Sequence, residues 1–564
     1  MPELPIPPAL IMIVGAALIA LARPSLRGAL VLLTPLVTLW AIWQLEDGVR
    51  LTAQFLGYQV ELVEVSKVRR LFATIFAIMA FAGGLFAFRQ ARWWELSAAT
   101  AYAAGAIGVA FAGDLITLFV YWEFMALFST VVVWSGGTPA ARRAGIRYGI
   151  IHLLGGIVLM IGIESVALET GSIDVRALAV DSFATWMLLA GVLLNAAAPP
   201  LSAWLADAYP ESSPGGMVTL SAFTTKAAVL ALILLFPGAQ VLIWIGLYMI
   251  FYGIIYALLE NDMRRILAYS IVNQVGFMVC GVGIGTEMAI NGAAAHAFAH
   301  IIYKALLLMS AGAVLYQTGR RKCSELGGLF QSMPLTAVCG IVGALAISSF
   351  PFTSGFVTKS LIGQAAADGH MATVWFLLSA ASAGVFLHAG IKFPWFVFFQ
   401  KDSGLRPPDP PWNMRAAMVL FAVACIVLGV FPGLLYPLLP YAVDYQPYTA
   451  DHLIAQFQLL LFAGLAFFLL LPMMQRTLTI SLDTDWFYRR ALPALWGVLE
   501  RVFRWLQRVL AALRDGPGQR MVQRLLEPHG PEGILARDWP TGSMLLWVTM
   551  MLVVLLLFGT VVEG

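Results

Sequence analysis

Three ionisable side chains recur at every fourth position of one apolar stretch, which reads His296-Ala-Phe-Ala-His300-Ile-Ile-Tyr-Lys304. In an α-helix a step of four residues advances about 400°, so the three side chains fall within roughly 80° on one face, along about 12 Å of the axis. Titratable groups in such a row behave as a coupled set, and protonating one tends to expel the proton of its neighbour. The pattern indicates a relay that could pass protons.

Single charged residues stand in the middle of other apolar stretches. Glu123 lies inside Gly113–Thr130, Lys226 stands between threonines and alanines, and Lys359 follows an apolar run interrupted by Pro351. A charge at mid-membrane costs about 2.5–3.5 kcal/mol on insertion scales, so each should face the interior of a helix bundle. Glu123 could be functional or a structural hydrogen-bonding group, and Lys226 could titrate or snorkel. Lys392 is expected to snorkel to an interface.

The composition is that of an integral membrane protein. Of the 564 residues, 60% are hydrophobic and 12% are charged, and the mean hydropathy is +0.83. Apolar runs recur from Leu10 to Thr560 with the length of about 17–25 residues that a membrane-crossing helix needs. We count about 14–16 spans, and their lack of period-two alternation excludes a β-barrel. The expected fold is therefore an all-α membrane bundle.

Two apolar runs carry prolines at positions that should break a helix within the membrane. One contains the pair Pro199-Pro200 and the other contains Pro351. Proline removes a backbone donor and clashes with the preceding turn, and the carbonyls thus freed are tolerated only in a cavity or inside protein. An ionisable helix precedes each break, which predicts two inverted repeats of the kind found in transporters.

The connections between spans alternate in charge. Basic residues occur in every second connection, and one connection, with Lys67, Arg69 and Arg70, departs from the pattern. By the positive-inside rule the N-terminus should lie outside, and the first span is expected to be retained because no basic region precedes it. The basic connections contain Arg23 and Arg27; Arg89 and Arg92; Arg142, Arg143 and Arg147; Arg264 and Arg265; and Arg320, Arg321 and Lys322.

No cofactor or metal site is predicted. The four cysteines, Cys280, Cys323, Cys339 and Cys425, are scattered without metal-binding spacing, and no glycine-rich phosphate loop or dinucleotide motif occurs. Any redox chemistry would therefore belong to another polypeptide. The composition does not predict nucleic-acid binding, and the bilayer is the expected surrounding.

The chain is expected to divide into five parts. Residues 1–112 should form packing spans, 113–400 a proton-translocating core, 401–482 further spans, 483–540 an amphipathic lateral segment and 541–564 a terminal transmembrane helix. In the lateral segment Val498, Val502, Val509 and Leu513 fall on one side of a helix and Arg501, Arg504 and Arg508 on the other. That helix should lie in the membrane interface or against a neighbouring protein of the same complex.

Six stretches of the chain form a recognisable set of motifs. They are Asp114 through Glu123, Pro200 through Pro210, Arg265 through Ser270, His300 through Leu307, Gly327-Gly328-Leu329, and Gly355 through Lys359. In this order they resemble the antiporter-like membrane subunits shared by respiratory complex I, membrane-bound hydrogenases and Mrp-type sodium/proton antiporters. Two further stretches, Phe431–Tyr436 and Leu482–Arg489, look more like the D subunit of the Mrp type.

The resemblance implies a row of titratable residues along the membrane midplane. Carried over by motif, the row consists of Glu123, Lys226, His296, His300, Lys304 and Lys359. The family's lysine in the first broken helix is missing, because the position 31 residues before Lys226 holds Asn195. Ser202 likewise replaces a histidine. Asparagine can hydrogen-bond but does not titrate near neutral pH, so the partner that would keep Glu123 ionised is absent.

Three functions remain open from the sequence. The first is a proton-conducting subunit of a multisubunit monovalent cation/proton antiporter, with Na⁺ as the expected cation, in the inner membrane of a bacterium. The second is a proton-pumping membrane-arm subunit of a complex I-like or hydrogenase-like machine. The third is a scaffold that has lost conduction, which Asn195 and Ser202 motivate. In all three the chain is a transporter-type subunit rather than an enzyme, with other membrane subunits as partners.

Overall fold

A computed structural model describes residues 6–48, 50–55, 57–472, 483–530, 533 and 541–562 of the chain. It is almost entirely helical. The helices are α1 (Pro8–Leu21), α2 (Pro24–Gln44), α3 (Lys67–Ala87), α4 (Trp93–Phe111), α5 (Leu115–Trp134), α6 (Pro139–Thr170), α7 (Phe183–Asn195), α8 (Ala203–Ala208), α9 (Pro214–Leu220), α10 (Thr224–Leu235), α11 (Val241–Leu259), α12 (Met263–Ile284), α13 (Glu287–Thr318), α14 (Pro334–Ile347), α15 (Ser354–Asp368), α16 (Ala372–Val385), α17 (Trp412–Val430), α18 (Ala450–Leu469), α19 (Leu492–Leu513), α20 (Gln519–His529) and α21 (Thr541–Val562).

Membrane-spanning length and hydropathy are common to most of these elements. Within the described residues, twelve helical segments are long and apolar enough to cross a membrane, and α1, α7 and α14 are shorter apolar helices. The prediction of an all-α membrane protein is confirmed. The four predicted spans of residues 1–112 correspond to α1–α4.

A two-stranded hairpin that the sequence did not predict lies between α2 and α3. Strand β1 (Arg50–Phe55) pairs antiparallel with β2 (Tyr58–Glu64). Its acidic residues pair with basic neighbours, with Arg69–Glu64 at 2.6 Å and Arg50–Glu61 at 3.1 Å. The connection that departs from the charge alternation is therefore largely neutralised within itself.

The connections fall into two groups that meet at opposite ends of the bundle. At one end Leu115 N–H donates to Ile173 O (2.8 Å) and Gly113 N–H donates to Glu61 O (2.9 Å). At the other end Met263 N–H donates to Arg321 O (2.9 Å). This second end is the basic one of the sequence pattern, and its assignment to the cytoplasm stays a prediction.

At the basic end an ion-paired cluster joins two connections. Arg321 contacts Glu211 at 2.8 Å and Asp262 at 2.8 Å. Burial raises the pKa of the Asp262 carboxyl above its usual range, and the charge of Arg321 offsets part of this effect. Asp262 also accepts from Arg264 N–H (2.9 Å) and so begins α12.

One order of elements occurs twice in the core. Helix α6 and helix α13 each have 32 residues, and each is followed by a helix that breaks near its middle. The first break separates α7 from α8 around Pro199-Pro200, and the second separates α14 from α15 around Pro351. Both contain non-glycine residues with left-handed backbone, Ala197 (φ 61°) in the first and Ser349 (φ 57°) in the second.

A third interruption, without a proline, divides one further span. The chain leaves helical geometry between α9 and α10, at Ser221–Phe223, and resumes at Thr224. From the sequence, this stretch is expected to be one continuous helix. Nothing in its composition marks the break, because no proline or glycine stands there.

The chain forms two compact units, residues 1–485 and 486–564. The second contains α19, α20 and α21, and α19 has its arginines on the side opposite its valines, as predicted. The predicted terminal span corresponds to α21. Residues 473–482, 531, 532 and 534–540, which belong to the predicted C-terminal spans and lateral segment, lie outside the described residues. The five predicted domain boundaries stay predictions.

Candidate functional site

The His296/His300/Lys304 row lies in the most enclosed helix of the core. All three side chains are fully buried on α13. The ring of His296 is held from two sides, with Nδ1 3.0 Å from Thr358 Oγ1 on α15 and Nε2 3.2 Å from Gln274 Oε1 on α12. The Tyr303 hydroxyl donates to the same Gln274 oxygen at 3.0 Å.

The two other members of the row differ in their surroundings. Lys304 Nζ donates to Ser270 Oγ at 2.7 Å and to Leu267 O at 3.4 Å, both on α12. Neither ring nitrogen of His300 has a hydrogen-bond partner within the described residues. Buried polar atoms are normally paired in protein or with water, so the unpaired ring of His300 differs from the two other members of the row.

Lys359 lies beside the second helix break. Its Nζ donates to Ile347 O (2.6 Å), a carbonyl at the end of α14, and lies 4.9 Å from the centre of the Phe277 ring. It also lines a cavity of about 910 Å³ whose other walls include Asp368, Asp444 and Asp451. The break therefore supplies a carbonyl for the ammonium group, and the cavity that Lys359 lines also has carboxylates in its walls.

Lys226 lies beside the unpredicted third interruption in the same manner. Its Nζ donates to Ser221 O (2.7 Å), which the break leaves free, and to Thr225 Oγ1 (3.1 Å). It is fully buried and lies about ten residues from either end of its span. The snorkelling alternative for Lys226 is thus wrong.

The core groups on α10, α13 and α15 interact electrostatically with one another. His300 lies within range of the charges of Lys226, Lys304 and Lys359. In the part of the chain that the structure describes, none of the three lysines forms an ion pair with a carboxylate. Several uncompensated buried charges are costly together, so protonation of one group opposes protonation of the others.

Glu123 lies apart from this group. Its carboxylate packs against Gly156 of α6, where an added Cβ would lie 2.0 Å from Oε1. It lines a pocket of about 270 Å³ together with Glu164, and it forms no ion pair within the described residues. The structure therefore brings together five of the six predicted relay residues, and Glu123, on α5, lies apart from them.

Asn195 ends α7 at the first break and is buried, and its amide atoms have no hydrogen-bond partner of normal geometry in the described part. Its amide lies beside the ring of His152, a buried histidine of α6. Ser202 Oγ is also buried without a partner among the described residues. The polar side chains at the first break, Asn195, His152 and Ser202, therefore make few hydrogen bonds in the described residues.

Several polar residues around these groups were not predicted from the sequence. His152 was visible as a lone histidine inside a long apolar run. The others are neutral and give no signal without the fold, because their partners stand far away in the sequence. They are Tyr102, Tyr148, Tyr209 and Thr224 in the first half, and Ser270, Gln274, Tyr303 and Thr358 around the His296/His300/Lys304 row.

That Lys392 snorkels to an interface stays a prediction, and the structure gives the contacts of its ammonium group. The side chain is buried, and its ammonium donates to Ala257 O (3.1 Å), Leu258 O and Glu260 O (2.6 Å) at the end of α11. An ammonium group stabilises the free carbonyls of a helix C-terminus. Lys392 is therefore a helix cap, which its position beside Pro394 did not indicate.

These features define a class: a multi-spanning membrane protein with helices broken at mid-depth and a buried row of lysines and histidines beside the breaks. Residues 112–385 match the family described as "NADH:quinone oxidoreductase/Mrp antiporter, TM". The chain belongs to this family. Its relatives include subunits of antiporters and of NADH-quinone oxidoreductase.

Relatives by sequence come from both branches of the family. The chain is 30% identical over 362 residues to the N subunit of NADH-quinone oxidoreductase from Desulforudis audaxviator, covering 58% of this chain and 72% of that one. It is 32% identical over 277 residues to the D subunit of the Na⁺/H⁺ antiporter of Alkalihalophilus pseudofirmus (45% and 56%). It is 28% identical over 358 residues to the A/B subunit of a probable K⁺/H⁺ antiporter of Rhizobium meliloti (59% and 36%). The matched part of this chain thus spans about a third of the length of the Rhizobium meliloti protein.

Two solved structures share the fold. One is a chain of the Mrp complex from Dietzia sp. DQ12-45-1b, with a TM-score of 0.68 and 21% identity, covering 81% of this chain and 97% of that one. The other belongs to the membrane-bound sulfane sulfur reductase, an archaeal respiratory membrane complex, with a TM-score of 0.72 and 21% identity, covering 98% and 99%. At this identity the likeness concerns the fold alone.

Proposed function

We propose that this chain is a proton-conducting subunit of a multisubunit monovalent cation/proton antiporter in a bacterial inner membrane, with Na⁺ as the exchanged cation. The observation that carries the proposal is the buried group Lys226, His300, Lys304 and Lys359, which has no carboxylate partner in the described residues. Lysines held by carbonyls and hydroxyls alone can lose their protons more easily than lysines in ion pairs. Antiporter subunits among the relatives support the choice.

In this mechanism Lys226, His300 and Lys304 form the central relay. A proton arriving at one group repels protons on the others, so it advances the next transfer. Lys359 exchanges protons with the far side through the Pro351 break and the acidic cavity beside it. Other membrane subunits of the complex would supply the path for the cation.

The test is cation exchange by the purified complex in proteoliposomes that hold a pH gradient. The variants Lys226→Ala and Lys359→Ala should each lower the exchange rate at least about tenfold. A positioned side chain that transfers a proton typically raises the rate of its step by about 10²–10⁴-fold. Lys322→Ala, which removes an exposed lysine from a connection, is the matched control and should exchange normally. Wild-type exchange in both buried-lysine variants would refute the proposal and favour the scaffold hypothesis.

A second candidate is a proton-pumping membrane-arm subunit of a respiratory complex. It is favoured by the archaeal respiratory neighbour, whose fold covers 98% of this chain, against 81% for the Mrp neighbour. The two candidates differ in their partners. Flavin, iron–sulfur or nickel in the purified native complex would favour the respiratory machine, and their absence together with cation exchange would favour the antiporter.

A further inference from the structure

The proposed relay has a gap in the first half of the chain. Glu123 lies on α5, and the next titratable group of the predicted row is Lys226 on α10. Asn195, which stands where the resemblance expects a lysine, cannot carry a proton between them near neutral pH. A proton path through this half therefore needs another titratable group.

His152 lies in the gap. It is 2% exposed and stands on α6, with its ring against those of Tyr148 (centroids 4.1 Å apart) and Trp204 (4.6 Å). Neither ring nitrogen has a hydrogen-bond partner of normal geometry in the described residues, although the Asn195 amide lies beside the ring. A buried polar group without a partner calls for a water, an ion or a functional role.

The surroundings lead from this ring towards Glu123. Gly156 follows His152 by one helical turn on the same face of α6, and the Glu123 carboxylate packs directly on it. The absence of a side chain at Gly156 is what allows this approach, because a Cβ there would lie 2.0 Å from Oε1. The Glu123 carboxylate thus lies against α6 one helical turn beyond His152.

Hydroxyl groups lead in the other direction. The Tyr148 ring packs against that of His152 at an angle of 45°, and its hydroxyl donates to Ser129 Oγ (3.0 Å) and lies near the hydroxyls of Tyr209 and Thr224. Thr224 Oγ1 is 2.6 Å from the Tyr102 hydroxyl, and Thr225, the next residue along the chain, accepts from Lys226 Nζ at 3.1 Å. Hydroxyl groups therefore extend from the His152 ring to the start of α10, the helix that carries Lys226.

We propose that His152 carries the proton between Glu123 and Lys226, in place of the lysine that is missing at position 195. The inference rests on the proposed function and assigns it a further residue. A proton leaves the Glu123 carboxyl and binds a ring nitrogen of His152, and the imidazolium then releases a proton through the hydroxyl groups to Lys226. Each transfer breaks one O–H or N–H bond and forms another, and no electrons move.

The charged and titratable groups around His152 are few. Tyr148, on its own helix, contacts the His152 ring directly. Tyr209, in the turn after α8, contacts Tyr148 (ring centroids 6.3 Å apart), and the Glu123 carboxylate of α5 packs on Gly156. The ion pair of Arg147 with Asp207 joins α6 to α8 at 2.7 Å. In the part of the chain that the structure describes, none of these groups forms an ion pair with the ring, so its charge can change as a proton passes.

Two substitutions test the proposal. His152→Phe keeps an aromatic ring against Tyr148 and Trp204. The variant should fold, because the ring nitrogens that it removes have no hydrogen-bond partners of normal geometry in the described residues. His152→Gln keeps a polar group instead. Both should lower pH-gradient-driven exchange of Na⁺ in the reconstituted complex at least about tenfold. His370→Asn, in an exposed left-handed turn that asparagine tolerates, should not.

A rescue separates proton transfer from packing. His152→Phe combined with Asn195→Lys returns a titratable group to the gap and should recover exchange to within about threefold of the wild type. Lack of recovery, with the complex assembled, would assign His152 to packing and overturn the inference. So would normal exchange in both single variants while Lys226→Ala is inactive, a result that leaves the proposed function standing.

Discussion

At the scale of single residues, the buried lysines are held by hydroxyls and carbonyls alone. Lys304 contacts Ser270 and Leu267, Lys226 contacts Ser221 and Thr225, and Lys359 contacts Ile347. Such partners accept a hydrogen bond from an ammonium group without fixing its charge as a carboxylate would. The environment of these lysines is consistent with groups that gain and lose protons.

Ser270 offers a direct test of this property. Ser270→Asp would place a carboxylate within reach of Lys304 Nζ, which is 2.7 Å from the present hydroxyl. An ion pair should hold the ammonium group charged, so we expect pH-gradient-driven exchange to fall at least about tenfold. Ser270→Ala removes one hydrogen bond and should reduce exchange much less. Equal rates in the two variants would contradict the prediction.

At the scale of elements, the most closely packed pair is α11 and α12. Glycines of the two helices face each other, so that a Cβ added at Gly276 would lie 2.6 Å from Gly246 O and one added at Gly253 would lie 2.6 Å from Tyr269 O. Small residues allow such backbone contact and are common where membrane helices associate. This contact fixes α12, and with it Ser270 and Gln274, against α13.

The close contact predicts a stability effect. Gly276→Ala should lower the free energy of unfolding by about 1–3 kcal/mol, because two of the atoms it meets, Gly246 O and Ile250 N, belong to the backbone and cannot rotate away. Gly363→Ala in α15 meets no atom within 4 Å and should leave stability unchanged or raise it by up to about 1 kcal/mol. Thermal unfolding of the detergent-solubilised protein measures both. A destabilised Gly363→Ala would show that helix packing is not the cause.

At the scale of the whole molecule, one arginine ties the two halves of the core. Arg264, at the start of α12, is 3% exposed and donates to Pro210 O, Ser212 O and Ser213 O, each at 2.8 Å. These carbonyls lie before α9, in the first half. The planar guanidinium group matches several fixed acceptors at once, which a lysine does not.

Arg264→Lys should therefore destabilise the fold by about 1–3 kcal/mol, the usual cost of leaving buried acceptors unpaired. Its neighbour provides the matched control, since Arg265 is more exposed and pairs with Glu260 at 3.1 Å. Arg265→Lys should cost less than about 1 kcal/mol. The melting temperatures of the two variants measure these losses of stability. Equal decreases for Arg264→Lys and Arg265→Lys would contradict a special role of Arg264.

Much of the architecture follows from the sequence because its signals are local. Apolar runs of spanning length predict membrane helices, paired prolines predict the first break, and a four-residue spacing places His296, His300 and Lys304 on one face. The third break and the β-hairpin escaped prediction. The break at Ser221–Phe223 has no proline or glycine to mark it, and it is stabilised by Lys226, which donates to the freed carbonyl.

The sequence by itself determined the class of protein, the row on α13, the two proline breaks and the replacement of the expected lysine by Asn195. Only the tertiary structure decided which side chains meet. His296 contacts Thr358, which is 62 residues away, and His152 lies beside Asn195 on another helix. Such contacts depend on how helices pack, and a helix's own periodicity states which residues share its face but not which neighbour that face meets.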